Sequence, residues 1–294
     1  MLDSKKSHAT PKKYREKIVQ YFDTSQIWYR LVCYGSQNLG MHHGYWETGV
    51  TNRYESMDRQ NQSIITYGKI KSKHTVLDAG CGVGGTAIYI AKKTGAHVTG
   101  ITLSKNQVGL AKRNAQKHGV ENITDFQVQD YAKTTFASNT FDVIYGLESI
   151  CYAFPKETFL REAFRILKPG GVLIIEDGYA TRNPQNQHEK RIIQKFEKAF
   201  EIKQLVPYSD MSDLIQKAGF IHLREVDRMP DVIPTIEYFY KVFRFTRPLT
   251  KLLSYLSLKT FKALDRNIIA LLTEKEAMAI NLATYYDHIA YKPR

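Results

Sequence analysis

Residues 76–85 read Val-Leu-Asp-Ala-Gly-Cys-Gly-Val-Gly-Gly, and this stretch decides the fold. The run Thr75-Val76-Leu77 is short, apolar and closed by Asp78, the pattern of a buried strand that ends in a turn. Glycines at 80, 82, 84 and 85 let the backbone of that turn approach a ligand closely. The helical stretch Thr86–Lys93 then presents free N–H groups at the same place. Downstream the alternation repeats. Ala96–Leu103 reads as a second strand, and Ser104 as the N-cap of a helix that Gly119 ends. Ile123–Gln129 and Phe141–Leu147 read as strands, Lys156–Leu167 as a helix, Lys168-Pro169-Gly170-Gly171 as a turn and Val172–Glu176 as a strand. Gln187–Gln204 carries Ile192, Ile193, Phe196 and Phe200 at helical spacing, which points to a core-facing helix. Phe220–Val226 and Thr284–Tyr291 supply two late strands. The expected fold is therefore α/β, a doubly wound seven-stranded sheet with an N-terminal helical cap and a helical insertion between the last two strands. The boundaries fall at 1–73 for the cap, 74–228 for the core, 229–283 for the insertion and 284–294 for the final strand. Pro248 is expected to interrupt the helical run of the insertion, which would wall a substrate.

Composition sets the class. Of the 294 residues, 43% are hydrophobic and 24% charged, so a packed core is affordable and global disorder is excluded. Three scattered cysteines, Cys33, Cys81 and Cys151, make neither a disulfide framework nor a four-cysteine metal site, and no metal is expected. No apolar run approaches the ~20 residues that span a bilayer. The opening Met-Leu-Asp-Ser-Lys-Lys is not a secretion signal, so a cytoplasmic protein is expected. The net charge of +13 is unevenly placed. Residues 1–19 hold six Lys and Arg against Asp3 and Glu16. Residues 238–262 hold Lys241, Arg244, Arg247, Lys251, Lys259 and Lys262 with no acid, interleaved with Tyr238, Phe239, Tyr240, Phe243, Phe245, Leu249, Leu252, Leu253, Tyr255 and Leu256. Basic and greasy together suggest peripheral contact with an anionic membrane rather than with nucleic acid.

The glycine turn also fits G-x-G-x-x-G, the dinucleotide pattern, which wants an acid ~20 residues on for the ribose hydroxyls. Here Thr99–Ser104 holds no carboxylate, while Asp78 stands before the turn, where an acid can attract a cationic ligand or hold the turn by hydrogen bonds. S-adenosyl-L-methionine carries a sulfonium and an ammonium and has no pyrophosphate. Residues 76–85 resemble the first motif of class I S-adenosylmethionine-dependent methyltransferases. Gly100-Ile101-Thr102-Leu103-Ser104, followed by Gln107, is similar to the second-strand motif of the tocopherol, sterol and cyclopropane synthase branch, where the ribose acid is commonly replaced. Met41-His42-His43-Gly44-Tyr45-Trp46 resembles the His-His-Gly segment of tocopherol C-methyltransferases. With Phe141-Asp142-Val143-Ile144 and Leu167-Lys168-Pro169-Gly170-Gly171, the resemblance runs over residues 40–178. It implies a Rossmann-like core, S-adenosyl-L-methionine as donor and S-adenosyl-L-homocysteine as product. It further implies that Gly80, Gly82 and Gly84 line the methionine and ribose part, and that Asp78 orients the turn and the amino group. Thr102, Leu103 and Gln107 would contact ribose or adenine, Asp130 after Gln129 would accept from the adenine amine, and Leu147, Glu148 and Ser149 would face the methyl donor. Beyond residue 178 no motif maps.

Methyl transfer from a sulfonium is an in-line displacement, so positioning supplies most of the catalysis. A hydroxyl acceptor needs a base, for which His42, His43 and Glu148 are the candidates; an alkene carbon needs cation stabilisation and then deprotonation. Tyr45, Trp46 and Tyr152 offer π faces to such a cation and to the substrate. Each residue also has a structural reading. The histidines could close a lid by hydrogen bonds, Glu148 could pair with a basic side chain, Cys151 could simply pack, and residues 238–256 could be the core of a helical subdomain. The expected activity is methylation of a small apolar acceptor, an isoprenoid, prenylated ring or lipid-like metabolite, with carbon favoured by the resemblance. The alternatives are O- or N-methylation of an aromatic or alkaloid-like compound and, from another class, RNA modification. Oligomeric state is not set by the sequence.

Overall fold

The stretch around Asp78 builds the centre of the sheet in the computed structural model, which describes residues 10–30, 39–254 and 259–294, with the side chains of 253, 254, 259 and 260 excepted. Residues 1–9, Cys33, Tyr255 and Leu256, and the side chains of Leu253 and Lys259, lie outside the described set. Helices α1 (Lys12–Trp28) and α2 (Arg53–Gly68) precede β1 (Thr75–Ala79). There follow α3 (Gly85–Thr94), β2 (His97–Thr102), α4 (Lys105–His118), β3 (Thr124–Val128), β4 (Phe141–Leu147), α5 (Lys156–Ile166) and β5 (Leu167–Ala180). Then come α6 (Gln187–Phe200), α7 (Tyr208–Lys217), β6 (Ile221–Asp227), α8 (Met229–Ser254), α9 (Lys259–Ala279) and β7 (Ala283–Tyr291). The strands form one sheet in the order β3-β2-β1-β4-β5-β7-β6, parallel except for β7, which runs antiparallel to both its neighbours. The seven-stranded, doubly wound reading holds, with α8 and α9 inserted between the last two strands.

Period-two alternation explains the layers. Val76, Val98, Val143 and Ile174 face one side, where Ile64 of α2, Ile88 of α3 and Ala111 of α4 cover them. Leu77, Ile101, Ile144 and Ile175 face the other, under Phe159 of α5 and Ile215 of α7. Ser104 caps α4 through the Gln107 N–H and Gly119 closes it at φ +69°. Two local expectations are corrected. Lys168–Gly171 is not a separate turn but an irregular start to β5, because Leu167 pairs with Phe141 before the register shifts and Val172 pairs with Val143. Pro248 does not interrupt the insertion: α8 runs through both Pro234 and Pro248. Each proline removes one backbone hydrogen bond, but the helix is held from the side, its Phe239 and Phe243 packing with Leu264 and Ile268 of α9. Among the described residues no helix is long and apolar enough to cross a membrane.

One polar cluster ties these layers together. Glu176 of β5 and Asp287 of β7 stand directly opposite each other, both fully buried. The Tyr45 hydroxyl lies 2.5 Å from Asp287 Oδ1 and 3.1 Å from Glu176 Oε2. One hydroxyl proton cannot serve both, so Tyr45 donates to Asp287 and accepts a hydrogen bond from the protonated Glu176, whose pKa burial and the charge of Asp287 raise well above the carboxylate range. Ser63 Oγ donates to Glu176 at 2.5 Å; Tyr67 Oη and Arg228 Nε donate to Asp287 Oδ2 at 3.0 and 2.8 Å. Arg228→Met would leave Asp287 as an unpaired buried charge. The expected loss is about 3–5 kcal/mol of unfolding free energy by urea titration; a loss under about 0.5 kcal/mol would show the cluster to be dispensable.

Candidate active site

The order β2-β1-β4 reverses the direction of winding between β1 and β4, which opens a crevice at their carboxyl ends. A cavity of about 260 Å³ occupies it. Asp78, Gly80, Gly82, Thr102, Leu103, Gln107, Gln129 and Leu147 all line it, although they come from four different strand ends. Gly80 sits at φ +110°, and a Cβ there would lie 2.4 Å from Ser149 Cβ, so only glycine fits against the end of β4. At Gly82 a Cβ would meet nothing closer than Met41 at 3.6 Å; this edge of the turn is open to the cavity. Thr102 Oγ1 donates to Gln107 Oε1 at 2.7 Å, which fixes the amide's orientation.

Two expected donor contacts fall elsewhere. Gly84 is not in the cavity wall: its φ is +86°, its N–H is bonded to Cys81, and a Cβ would strike Phe126 at 2.9 Å, so it seats α3 on the sheet. Asp130 is turned away and already satisfied by Thr10 N and Oγ1, Ala132 N and Arg15, which leaves Gln129 as the wall residue.

Asp78 tests whether the donor fits. The residue is 3% exposed, and burial pushes its carboxyl up to about 7 against the nearby Tyr145 hydroxyl, which itself has no well-formed hydrogen bond among the described residues. A buried carboxyl that wants a cation, beside an open glycine edge, suits the ammonium end of S-adenosylmethionine.

Just past the carboxyl end of β4, Glu148 adopts φ +46°, a left-handed conformation costing roughly 1 kcal/mol that aims its side chain across the crevice. Glu148 Oε1 accepts from His43 N and His43 Nδ1, both at 2.9 Å, and from Tyr285 Oη at 3.1 Å. His43 Nε2 lies 3.1 Å from Glu274 Oε1. Burial opposes charge on this imidazole, but the two carboxylates outweigh it and hold the His43 pKa well above its usual value. His43 is thus an imidazolium, and its expected role as a base is corrected. Burial likewise opposes the charge on Glu148, yet His43 keeps that carboxyl below the ordinary range, hence ionised. His42 is the opposite case: burial pulls it down to about 4. Gln60 Oε1 already accepts the Gly44 N–H at 2.8 Å, so His42 Nδ1 must donate to it at 2.8 Å. His42 Nε2 therefore carries a bare lone pair, and it has no partner among the described residues.

The aromatic candidates separate. Tyr152 lines the cavity. Tyr45 does not; its hydroxyl is committed to Glu176 and Asp287 and its ring is wholly buried under Arg228. Trp46 does not either: its Nε1 donates to Thr235 Oγ1, which donates to the His43 carbonyl, so it braces the histidine. Sequence reasoning missed Glu274 and Tyr285. The only signal for Glu274 is an acid on the apolar stripe of α9, in line with Leu264, Ile268, Leu271 and Met278. Those residues, with Val232, Ile236, Phe239 and Phe243 of α8, form the apolar end of the cavity.

A family described as a methyltransferase domain matches residues 70–247. The chain belongs to this family of methyltransferases, in its S-adenosylmethionine-dependent class I. It is 29% identical to a methyltransferase, GfsG, of Streptomyces halstedii, over 66% of this chain and 70% of that protein. It is 35% identical to 24-methylenesterol C-methyltransferase 3 of Arabidopsis thaliana over 54% of this chain and 45% of that protein. Against the sterol 24-C-methyltransferase of Aspergillus fumigatus it is 33% identical, over 62% and 49%. The methyltransferase thus spans about half the length of the sterol methyltransferases it matches. Among solved structures the cyclase SpnF superposes with a TM-score of 0.79 at 22% identity, covering 98% of this chain and 99% of that one. A geranyl diphosphate C-methyltransferase of Streptomyces coelicolor, bound to Mg2+, geranyl diphosphate and S-adenosylhomocysteine, gives 0.72 at 18% identity, covering 96% and 100%. These share the fold.

The state of Asp78 sets a pH dependence. An ammonium binds only the ionised carboxyl, so the affinity for S-adenosylhomocysteine, measured by calorimetry, is expected to be level above pH 7 and to fall up to tenfold per unit below about 7. Asp78→Asn is expected to weaken binding and abolish that dependence; an unchanged profile would remove Asp78 from the site.

Proposed function

We propose that this methyltransferase adds a methyl group to a carbon of a neutral, apolar isoprenoid or lipid-like acceptor. The observation that carries the reading is the geometry around Glu148, whose Oε1 accepts from His43 and Tyr285 while Glu274 faces the far nitrogen of His43. When bound, S-adenosylmethionine supplies an electrophilic methyl group, and Asp78, Gly80, Gly82, Thr102, Leu103, Gln107, Gln129 and Leu147 are the residues that would hold it. If the π electrons of an acceptor double bond form the new carbon–carbon bond while the methyl–sulfur bond breaks and its electron pair leaves with S-adenosylhomocysteine, a carbocation is left on the acceptor. The ionised Glu148, with Glu274 beyond His43 and the rings of Tyr152 and Tyr285, surrounds it with negative charge and π faces. A C–H beside a carbocation is so acidic that a carboxylate of lowered pKa suffices as base. Glu148 takes that proton and the double bond is restored.

A hydroxyl acceptor is served poorly. His43 is already protonated, His42 titrates near 4, and Asp177, raised to about 6 by burial, has both oxygens bonded to the N–H groups of Cys151 and Gly178. Charge also bears on the acceptor. The described lining holds Asp78, Glu148, Asp177 and Glu274 against Arg53 and the His43 imidazolium, and among the described residues no three His, Cys, Asp or Glu side chains are grouped to hold the Mg2+ that accompanies the diphosphate in the Streptomyces coelicolor enzyme. The sterol relatives and the apolar end of the cavity support a neutral acceptor. The same carboxylates favour one second reading, N-methylation of an amine, which brings its own lone pair. On the leading reading the enzyme works as a peripheral protein that draws its acceptor from an anionic membrane.

The test is transfer from labelled S-adenosylmethionine into a metabolite extract partitioned between organic solvent and water. Label in the organic phase on a new C–CH3 group is expected; label on an amine selects the second reading, and label on RNA overturns both. Glu148→Gln is expected to lower kcat at least ~100-fold with the affinity for S-adenosylhomocysteine within about twofold. The wild-type kcat is expected to be flat from about pH 6 to about pH 8, where a neutral-pH base would give a limb. Turnover of geranyl diphosphate would contradict the charge argument.

A further inference from the structure

We propose that the outer face of α8 is a docking surface for an anionic lipid bilayer. The proposal rests on the reading of an acceptor drawn from a membrane and assigns the surface that meets it. Tyr238, Val242, Phe245, Leu249 and Leu252 are 54, 38, 74, 60 and 64% exposed. They recur at steps of four, three, four and three residues, which keeps all five on a single stripe of a helix with about 3.6 residues per turn. The described chain has ten large hydrophobic side chains with comparable exposure, and half of them sit on this stripe. A helix that packs only inward leaves lysine and glutamate in such places; here the positions are apolar and exposed among the described residues.

Charge decides what covers the stripe. Lys241 and Arg244 stand exposed beside it, with the Arg244 guanidinium 4.9 Å from the Phe245 ring centre. Between Glu237 and Asp265 the sequence has six cations and no acid. A second copy docked on the same face would bring these cations together, whereas an anionic headgroup layer neutralises them while the five side chains enter the acyl boundary. The opposite face of the same helix carries Val232, Ile236, Phe239 and Phe243 into the apolar end of the cavity. One helix thus has lipid chemistry on both sides, and its inner side is the wall of the acceptor space. Of the alternative reading of residues 238–256 as a helical core, the described part divides: Phe239 and Phe243 are core, while Tyr238, Val242, Phe245, Leu249 and Leu252 are surface, and residues 255 and 256 lie outside the described set.

The experiment is flotation of the full-length protein with vesicles of phosphatidylcholine alone and with about 30 mol% phosphatidylglycerol, at about 0.1 M salt. Wild type is expected to float with the anionic vesicles and to be released by high salt. Phe245→Glu/Leu249→Glu/Leu252→Glu is expected to lower partitioning at least tenfold while retaining the affinity for S-adenosylhomocysteine, which shows that it is folded. Lys241→Glu/Arg244→Glu is expected to remove the preference for anionic over neutral vesicles. Failure of wild type to float, or equal flotation of the triple variant, would overturn the proposal. So would a wild-type dimer in sedimentation that the triple variant dissolves, which would make a second copy the occupant. Organic-phase methyl product without flotation overturns the docking surface alone; flotation without such product overturns the acceptor reading alone.

Discussion

Two carboxyl groups facing each other across the β5–β7 pairing, in a place water does not reach, constrain much of the architecture. Neither Glu176 nor Asp287 can be ionised there unaided, and both cannot be ionised together. The solution is one shared proton pattern: Glu176 neutral, Asp287 charged, Tyr45 between them and Arg228 as counter-ion. Each partner comes from a different part of the chain. Tyr45, Ser63 and Tyr67 bring the N-terminal cap, Glu176 and Asp287 the sheet, and Arg228 the residue that leads into α8. Satisfying one buried charge therefore fixes the cap and the insertion on the core at the same time.

The proposed reaction centre hangs from this cluster. Tyr45 follows His43 by two residues, and the Glu148 N–H donates to the Glu176 carbonyl. Once these are placed, His43 lies between Glu148 of the β4 end and Glu274 of α9, and the imidazolium becomes the bridge that closes the insertion over the crevice. The proposed chemistry follows from the bridge: His43 keeps the Glu148 carboxyl below its ordinary range, and a preorganised carboxylate is suited to a transient cation.

Helix α8 shows how one element serves two solvents. Its inner row is buried against α9 and the cavity, its outer row is apolar and bare, and the cations lie between them. Proline at 234 and 248 is compatible with this because lateral packing, not propensity, holds the helix.

The α/β alternation, the glycine turn and the strand-end residues were legible in the sequence because their signals are local. Asp78, Gly80, Thr102, Gln107, Gln129 and Glu148 each lie at or just beyond the carboxyl end of a readable strand, and parallel strands bring those ends to one edge. Where the same local pattern permits two orientations, the sequence alone could not choose. Tyr45, Trp46, Asp130 and Gly84 have the residue types of a binding site, but Asp287, Thr235, Thr10 and Phe126 claim them, and those partners are up to 242 residues away. Glu274 and Tyr285 enter the site only through the insertion and the last strand. The sequence by itself determined the sheet, the turn and the donor chemistry, since these depend on short-range pattern and backbone sterics. Only the tertiary structure decided which histidine is charged, which carboxylate is ionised and which face of α8 is bare, because protonation and burial are properties of the assembled surroundings.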